Sequence, residues 1–321
     1  MAPVQSRSSR SYTVVGLGAI GGFYGARLAA AGHDVRFVTR SQVDEVRTGG
    51  LRVESPIGDV KLTDVDVHDL DAVARGDVAR SDVVIVAVKT TDTADALALV
   101  PSLVHDGSIV VVMQNGLGVE DVVAQVVPRH PVVGAMCFIC SNRVAPGHIR
   151  HLDFGRVTLA HHTDDGEPAG ITDEVQAVAD DLDAAGVPVV PFEDLALARW
   201  RKLVWNIPYN GLSVVLDAGT DELMGDPSTR ALVEALMWEV VDGSRACGSP
   251  VDDDFVAEML ETTDTMTPYA TSMKLDHAAG RPLELEAIYA APIAAAAAGG
   301  CAMPRASALH AQLQFLDARQ R

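Results

Sequence analysis

Residues 12–32 hold the stretch that most restricts what this chain can become. The apolar run Tyr12-Thr-Val-Val-Gly16 leads into Gly16-Leu17-Gly18-Ala19-Ile20-Gly21. The alanine-rich stretch from Ile20 to Ala31 follows, with Gly32 placed to stop a helix. A G-x-G-x-x-G run that leaves a strand and opens a helix is the dinucleotide fingerprint. Its first glycine permits the tight turn, its second lets backbone approach a diphosphate, and its third lets helix and strand pack closely, with the phosphates on the helix N-terminus. A glycine-containing turn can match those letters by chance. Here the strand, the helix and a second strand, Val35-Arg-Phe-Val-Thr39, all agree with the binding motif.

The second strand selects the cofactor. A site for NAD usually ends that strand with an acid that holds the ribose 2′-hydroxyl. This chain reads Val38-Thr39-Arg40-Ser41 instead. A lone arginine can simply solvate a strand end, but after a dinucleotide fingerprint Arg40 is suited to pair with a 2′-phosphate, and NADP is the expected cofactor. Lys89 follows the apolar run Val83 to Val88, and Asn115-Gly116 follows the run Ile109 to Met113. Ligands of open α/β sheets lie outside the carboxyl ends of strands, so both positions face the expected crevice. Each also has a plain alternative, a strand meeting water and an ordinary Asn-Gly turn.

The alternation of strands and helices continues through Val132 to Ile139, Arg156 to Ala160 and a helix from Ile171 to Ala185. Such βα units predict a parallel, doubly wound sheet covered on both faces. Past Pro188-Val-Val-Pro191 the pattern becomes helical: Leu195 to Asn210, Arg230 to Cys247, Asp252 to Glu261, Tyr269 to Ala278, Glu284 to Ala298 and Arg305 to Arg319. A boundary near 190 therefore divides an NADP-binding Rossmann-like domain, 1–190, from an all-helical substrate and catalytic domain, 191–321. The total of 321 residues suits about two domains.

Composition removes several function classes. A net charge of −19 repels phosphate backbones, which argues against nucleic acid as a partner. Four cysteines are too few for a disulfide scaffold. The polar, basic residues 1–10 lack the apolar core of a signal peptide, and the longest apolar stretch, Ala287 to Ala298, is too short to span a bilayer. A soluble cytoplasmic protein is the expectation. Cys137-Phe-Ile-Cys140 closes a strand and has no second pair, and His148, His151, His161 and His162 read as surface or edge residues, so no metal site is expected.

The richest stretch of the second half is Trp200-Arg-Lys202-Leu-Val-Trp-Asn206-Ile-Pro-Tyr-Asn210. Lys202, Asn206 and Asn210 are spaced four apart and share a helical face among apolar neighbours, which suggests a desolvated polar site. A solvent-facing stripe is the ordinary alternative. Ser272 and Asp276 are again four apart. Glu284 and Glu286 open the next helix, where dipole compensation would also explain them.

Taken in order, these segments resemble the ketopantoate reductase (2-dehydropantoate 2-reductase) family over nearly the whole chain. The matching motifs are Gly16-Leu-Gly-Ala-Ile-Gly21-Gly22, Val86-Ala-Val-Lys89, Gln114-Asn-Gly116, Arg143-Val-Ala-Pro-Gly147, the Trp200–Asn210 stretch, Ser272-Met-x-x-Asp276, Gly280-Arg-Pro and Glu284-Leu-Glu286. The resemblance implies NADPH-dependent reduction of a 2-keto acid, foremost 2-dehydropantoate to pantoate in pantothenate biosynthesis, and it allows a homodimer. It implies Lys202 as general acid supported by Glu284, which also contacts the cofactor. Asn206 would contact the reacting end of the substrate, Asn210 its polar groups and Ser272 its carboxylate. Lys89 and Asn115 would face nicotinamide, ribose and substrate, Gly16 to Gly21 the diphosphate, and Arg40 the 2′-phosphate. Pro208 inside the helix should kink it. Gly211 stands where the family often has proline, and Trp205 where it has a small residue, which bears on which keto acid fits. The alternatives are a reductase of another branched or bulky 2-keto acid and a catalytically idle NADP-binding protein. Retention of Lys202 and Glu284 speaks against the idle version.

Overall fold

The computed structural model describes residues 9–320; most of the polar leader, 1–8, lies outside the described residues. Ten strands form one sheet: β1 (Ser11–Val15), β2 (Asp34–Val38), β3 (Leu51–Glu54), β4 (Val60–Leu62), β5 (Asp66–His68), β6 (Ser81–Val86), β7 (Val104–Val112), β8 (Val132–Ala145), β9 (His148–His161) and β10 (Val189–Pro191). Their order is β4-β3-β9-β8-β7-β6-β1-β2-β5, with β10 on β9. From β5 through β2, β1, β6 and β7 to β8 every pairing is parallel. That run is the doubly wound order, and its direction reverses between β1 and β6, which opens a crevice there. Val83 to Val86 are 0–1% exposed, which is why β6 reads as an unbroken apolar run: both its faces are covered.

The sheet is mixed rather than wholly parallel. β8 and β9 form a long antiparallel hairpin, and β4 is antiparallel to β3. The hairpin extends each sequence-read strand well beyond its apolar core: β8 runs past Cys140 to Ala145, and β9 begins at His148. Alternation is disguised there because the strands bend at register shifts, one of them at Phe138/Ile139. His151 is correspondingly buried rather than at the surface, bonded to Ser55 Oγ and the Asp153 carbonyl; burial lowers its pKa.

After β10 only helices follow among the described residues. The central one, Leu195–Val215, is capped by Asp194, whose carboxylate accepts from Leu197 N. It runs past Pro208 to Val215 as one helix. Gly211, next in line, leaves room for the Tyr289 hydroxyl, which donates to Ile207 O at 2.8 Å; a Cβ at 211 would stand 2.6 Å from that hydroxyl. The helix packs against Pro227–Ala246, Ser272–Ala278 and Pro304–Gln320 around a core of its own. Residues 269–271 lie outside any helix, so the next helix begins only at Ser272. The alanine-rich helix is preceded by a π turn, Glu286–Ala290, that periodicity could not show. No helix of the described residues is long and apolar enough to cross a membrane.

Candidate active site

One cleft of about 650 Å³ lies between the carboxyl ends of the central strands and the helical half. It brings together Gly16 to Ile20, Arg40, Lys89, Asn115, Lys202, Asn206, Asn210, Ser272 and Glu284, all from the sequence reading. Gly21 alone stays behind it, buried where a Cβ would crowd Val14 at 2.9 Å.

The glycine loop suits a diphosphate. Gly16 adopts φ +109°, and a Cβ there would lie 2.8 Å from the backbone of Ala87, so only glycine lets β1 and β6 approach at the switch point. Gly18 has open space where its side chain would be. The helix Ala19–Ala30 has no side-chain cap and no acid in its first turn, which leaves its N–H groups for an anion. At the end of β2 the half-exposed Arg40 pairs with Asp92 at 2.7 Å. These residues fit a dinucleotide with a phosphate at the Arg40 end.

The far end of the cleft is built on the long helix and the β8–β9 hairpin. Lys202 Nζ donates to the Cys137 carbonyl at 2.8 Å and sits 4.7 Å from the Phe138 ring centre and 5.9 Å from that of Trp205. Among the described residues no carboxylate pairs with it. Burial therefore lowers its pKa to about 8; the Cys137 and Cys140 side chains oppose that shift, while the cations Arg199 and Arg156 reinforce it. Asn206 Nδ2 reaches Asn115 Oδ1 at 3.5 Å, across the cleft from helix to strand end. Phe154 holds φ +60° with its N–H donating to Asp153 Oδ1. That uncommon conformation, at a bulge, turns its ring to within 4.7 Å of Phe138. Trp205 is fixed by its Nε1–H donating to Thr263 Oγ1 at 3.1 Å. Phe138, Phe154 and Trp205 thus form an aromatic wall beside the ammonium.

One expected pairing is different. The Glu284 carboxylate lies not on Lys202 but on Lys89 Nζ at 3.1 Å and on the N–H and hydroxyl of Thr90 at 2.9 and 3.1 Å. Asp276 also grips Lys89, at 2.9 Å, and is held in turn by Arg281 at 2.8 Å. Desolvation alone would lower the Lys89 pKa, but Glu284 and Asp276 outweigh it and hold Lys89 well above the ordinary lysine value. The physical reason is reach: Lys202 is drawn under the hairpin to Cys137, while Lys89 leaves β6 toward both acids. Asp276 was marked by its spacing from Ser272, yet nothing in the sequence said that its partner lay 187 residues away. The Cys137 carbonyl carried no sequence signal at all. Burial pushes the Cys137 thiol up to about 11 and Cys140 up to about 12, so both stay protonated.

Comparison with known proteins gives consistent matches. The family model for ketopantoate reductase PanE/ApbA matches residues 12–164, and that for its C-terminal part matches residues 194–317. The 2-dehydropantoate 2-reductase of Nostoc sp. is 46% identical over 98% of this chain and 97% of its own. The crystal structure of 2-dehydropantoate 2-reductase from Geobacter metallireducens superposes with a TM-score of 0.88 at 36% identity, covering 95% of this chain and 99% of that one. D-mandelate dehydrogenase, solved in a ternary complex with NADH and anilino(oxo)acetate, shares the fold at a TM-score of 0.84 and 21% identity, covering 97% of this chain and 99% of that one.

Proposed function

The chain belongs to the ketopantoate reductase family and is an oxidoreductase acting on CH–OH groups, and on that premise we propose that it reduces 2-dehydropantoate to pantoate with NADPH, Lys202 serving as the general acid. The observation that carries the reading is the desolvated Lys202 ammonium, which has a carbonyl for a partner and, among the described residues, no carboxylate. Residues 1–190 would hold the cofactor and residues 191–321 supply the acid and most of the substrate contacts.

When bound, the nicotinamide supplies a hydride to the keto carbon. The protein's part is to stabilise the charge that develops on the carbonyl oxygen and to protonate it. A lysine at its ordinary pKa of about 10.4 is a sluggish donor near neutrality; at about 8, Lys202 is both charged and ready to give up its proton. The Cys137 carbonyl holds its Nζ in place. Asn206 orients the reacting end, Ser272 donates to the substrate carboxylate, and Asn210 takes the distal hydroxyl. Lys89, kept charged by Asp276 and Glu284, and Asn115 hold the ribose and substrate side; Glu284 acts on the cofactor end through Lys89 and Thr90. Arg40 exchanges Asp92 for the 2′-phosphate. Assembly as a homodimer belongs to the same proposal, and sedimentation would check it.

The aromatic wall of Phe138, Phe154 and Trp205 favours a second reading, reduction of a bulkier 2-keto acid. A panel of 2-keto acids followed by loss of NADPH absorbance separates the two. Preference for 2-dehydropantoate over 2-ketoisovalerate, the same acid without the hydroxymethyl group, is expected; equal kcat/KM for the two would move the assignment to the broader reductase.

A further inference from the structure

Arg199 and Glu120 are 2% and 3% exposed, and neither touches the cleft. Burying two opposite charges costs desolvation that their attraction seldom fully repays, so a pair like this asks for a reason other than stability. Its contacts supply one. Arg199 Nε donates to Glu120 Oε1 at 2.9 Å, Nη2 donates to the same oxygen, and Nη1 donates to Gln114 O at 2.6 Å. Glu120 lies in the first turn of the helix Val119–Val126 and is pressed against β8 at Gly134, where a Cβ would stand 3.2 Å from its carboxyl carbon. Gln114 immediately precedes Asn115, and its amide nitrogen donates to Val88 O at 3.0 Å and to Thr93 Oγ1 at 2.7 Å, on either side of Lys89. On the loop's other side Gly116, at φ +103°, packs against Ala287, and Leu117 N donates to Ala287 O at 2.9 Å. Loop 114–117 is therefore gripped from both sides. Arg199 stands three residues before Lys202 on the long helix, and Asn206 of that helix meets Asn115 of the loop.

We infer that the buried Arg199–Glu120 pair is a positioning device that fixes the loop carrying Asn115 against the helix carrying Lys202 and Asn206, and keeps a permanent positive charge one helical turn from the acid. The inference rests on the reading of Lys202 as the proton donor. Besides Arg199, the groups facing Lys202 are the thiols of Cys137 and Cys140 on β8 and Arg156 on β9, with Asp153 beside Cys140. The two arginines both push the ammonium toward losing its proton. A merely structural pair would leave the pH profile of kcat where it is.

The test measures kcat and KM for NADPH and 2-dehydropantoate across pH 6–10 in the full-length wild type and in Arg199→Lys, Arg199→Met and Glu120→Gln, with thermal melts to confirm folding. In Arg199→Lys the charge stays but the forked contact with Glu120 and Gln114 is lost. Its kcat should fall at least about tenfold, with KM for NADPH within about threefold and the alkaline limb unmoved. Arg199→Met should move that limb upward, and Glu120→Gln, which leaves the arginine charge uncompensated, should move it downward. Should Arg199→Met fail to fold, Glu120→Gln decides the electrostatic part and Arg199→Lys the geometric part. A kcat within about twofold of wild type in Arg199→Lys, or a limb in Glu120→Gln that coincides with wild type, overturns the inference. A wild type with no alkaline limb overturns the reading of Lys202 itself, which is a separate failure.

Discussion

Two lysines reach into the same cleft and are treated in opposite ways. Lys89, at the end of β6, is met by Asp276 and Glu284 from the helical half and held firmly charged. Lys202, on the long helix, is met by a carbonyl, two aromatic rings and two buried thiols, and its pKa falls to about 8. The residue type is the same; the partners decide. Where carboxylates arrive, lysine becomes a fixed cation that can bind and bridge. Where burial dominates and the nearby charges are the cations Arg199 and Arg156, its pKa falls toward neutrality, as the proposed proton donor requires.

Removing each lysine in turn breaks the contrast most directly. Lys202→Ala should lower kcat by roughly 10²–10⁴-fold and leave NADPH binding nearly intact, measured by steady-state rates beside cofactor titration. An unaffected kcat would transfer the acid role to Lys89. At the cofactor end, Arg40→Ala should remove most of the preference for NADPH over NADH. A lost charge-assisted contact of about 1.5–3 kcal/mol corresponds to roughly a 10- to 150-fold change in the affinity ratio. Equal affinities in the unmodified protein would sink that assignment.

The pH profile sharpens the comparison further. With Lys202 as the proposed acid, reduction requires its protonated form, so kcat should be flat below its pKa and fall about tenfold per unit as pH rises past about 8. A limb near the ordinary lysine value of about 10.4 would mean that the acid is not desolvated. Asn210→Ala should reduce kcat/KM for 2-dehydropantoate about five- to tenfold more than for 2-ketoisovalerate, since only the former has a hydroxyl to lose a partner. Stability gives the smallest effect but opposite signs. Lys202→Met removes a half-buried cation whose partner is a carbonyl, and should raise thermal stability by about 1 kcal/mol. Lys89→Met takes the ammonium from Glu284 and leaves Asp276 with Arg281, and should lower it by about 1 kcal/mol. The wild type should agree: the Lys202 pKa lies below its unfolded value, so the unfolded chain binds more protons between about pH 8 and 10.4 and that lysine's contribution to stability grows with pH across the window.

Much of this cleft was legible because its residues are announced by local pattern. Gly16 to Gly21 sit between a strand and a helix, and Lys202, Asn206 and Asn210 recur at helical spacing among apolar neighbours. What was hidden depends on chain reversal. Lys89 and Glu284 are 195 residues apart, and their pairing follows from how two halves dock, which no window of sequence contains. The β8–β9 hairpin was hidden for another reason: Val132 to Ile139 reads as a buried parallel strand, and only at the register shift near Phe138 does it bend over the cleft to offer Cys137 O and the Phe154 ring. Backbone acceptors and bulges have no letter in the sequence.

The stitch at Gly116, where Leu117 N meets Ala287 O and the glycine lies against Ala287, has a consequence for how such an enzyme can change over generations. The strand ends are joined to the helical half there by a main-chain hydrogen bond beside the contacts of Arg199 and Asn206, none of which involves the aromatic wall. Exchanges at Phe138, Phe154 and Trp205 can then redirect the choice of keto acid while the frame that aligns donor and acceptor persists. A small library at the half-buried Phe138 and Phe154 should scatter in substrate preference with little change in unfolding temperature, whereas exchanges at Trp205, buried in the helical core, should also lower it. Any side chain placed at 116 should do the reverse, weakening the alignment for every substrate alike.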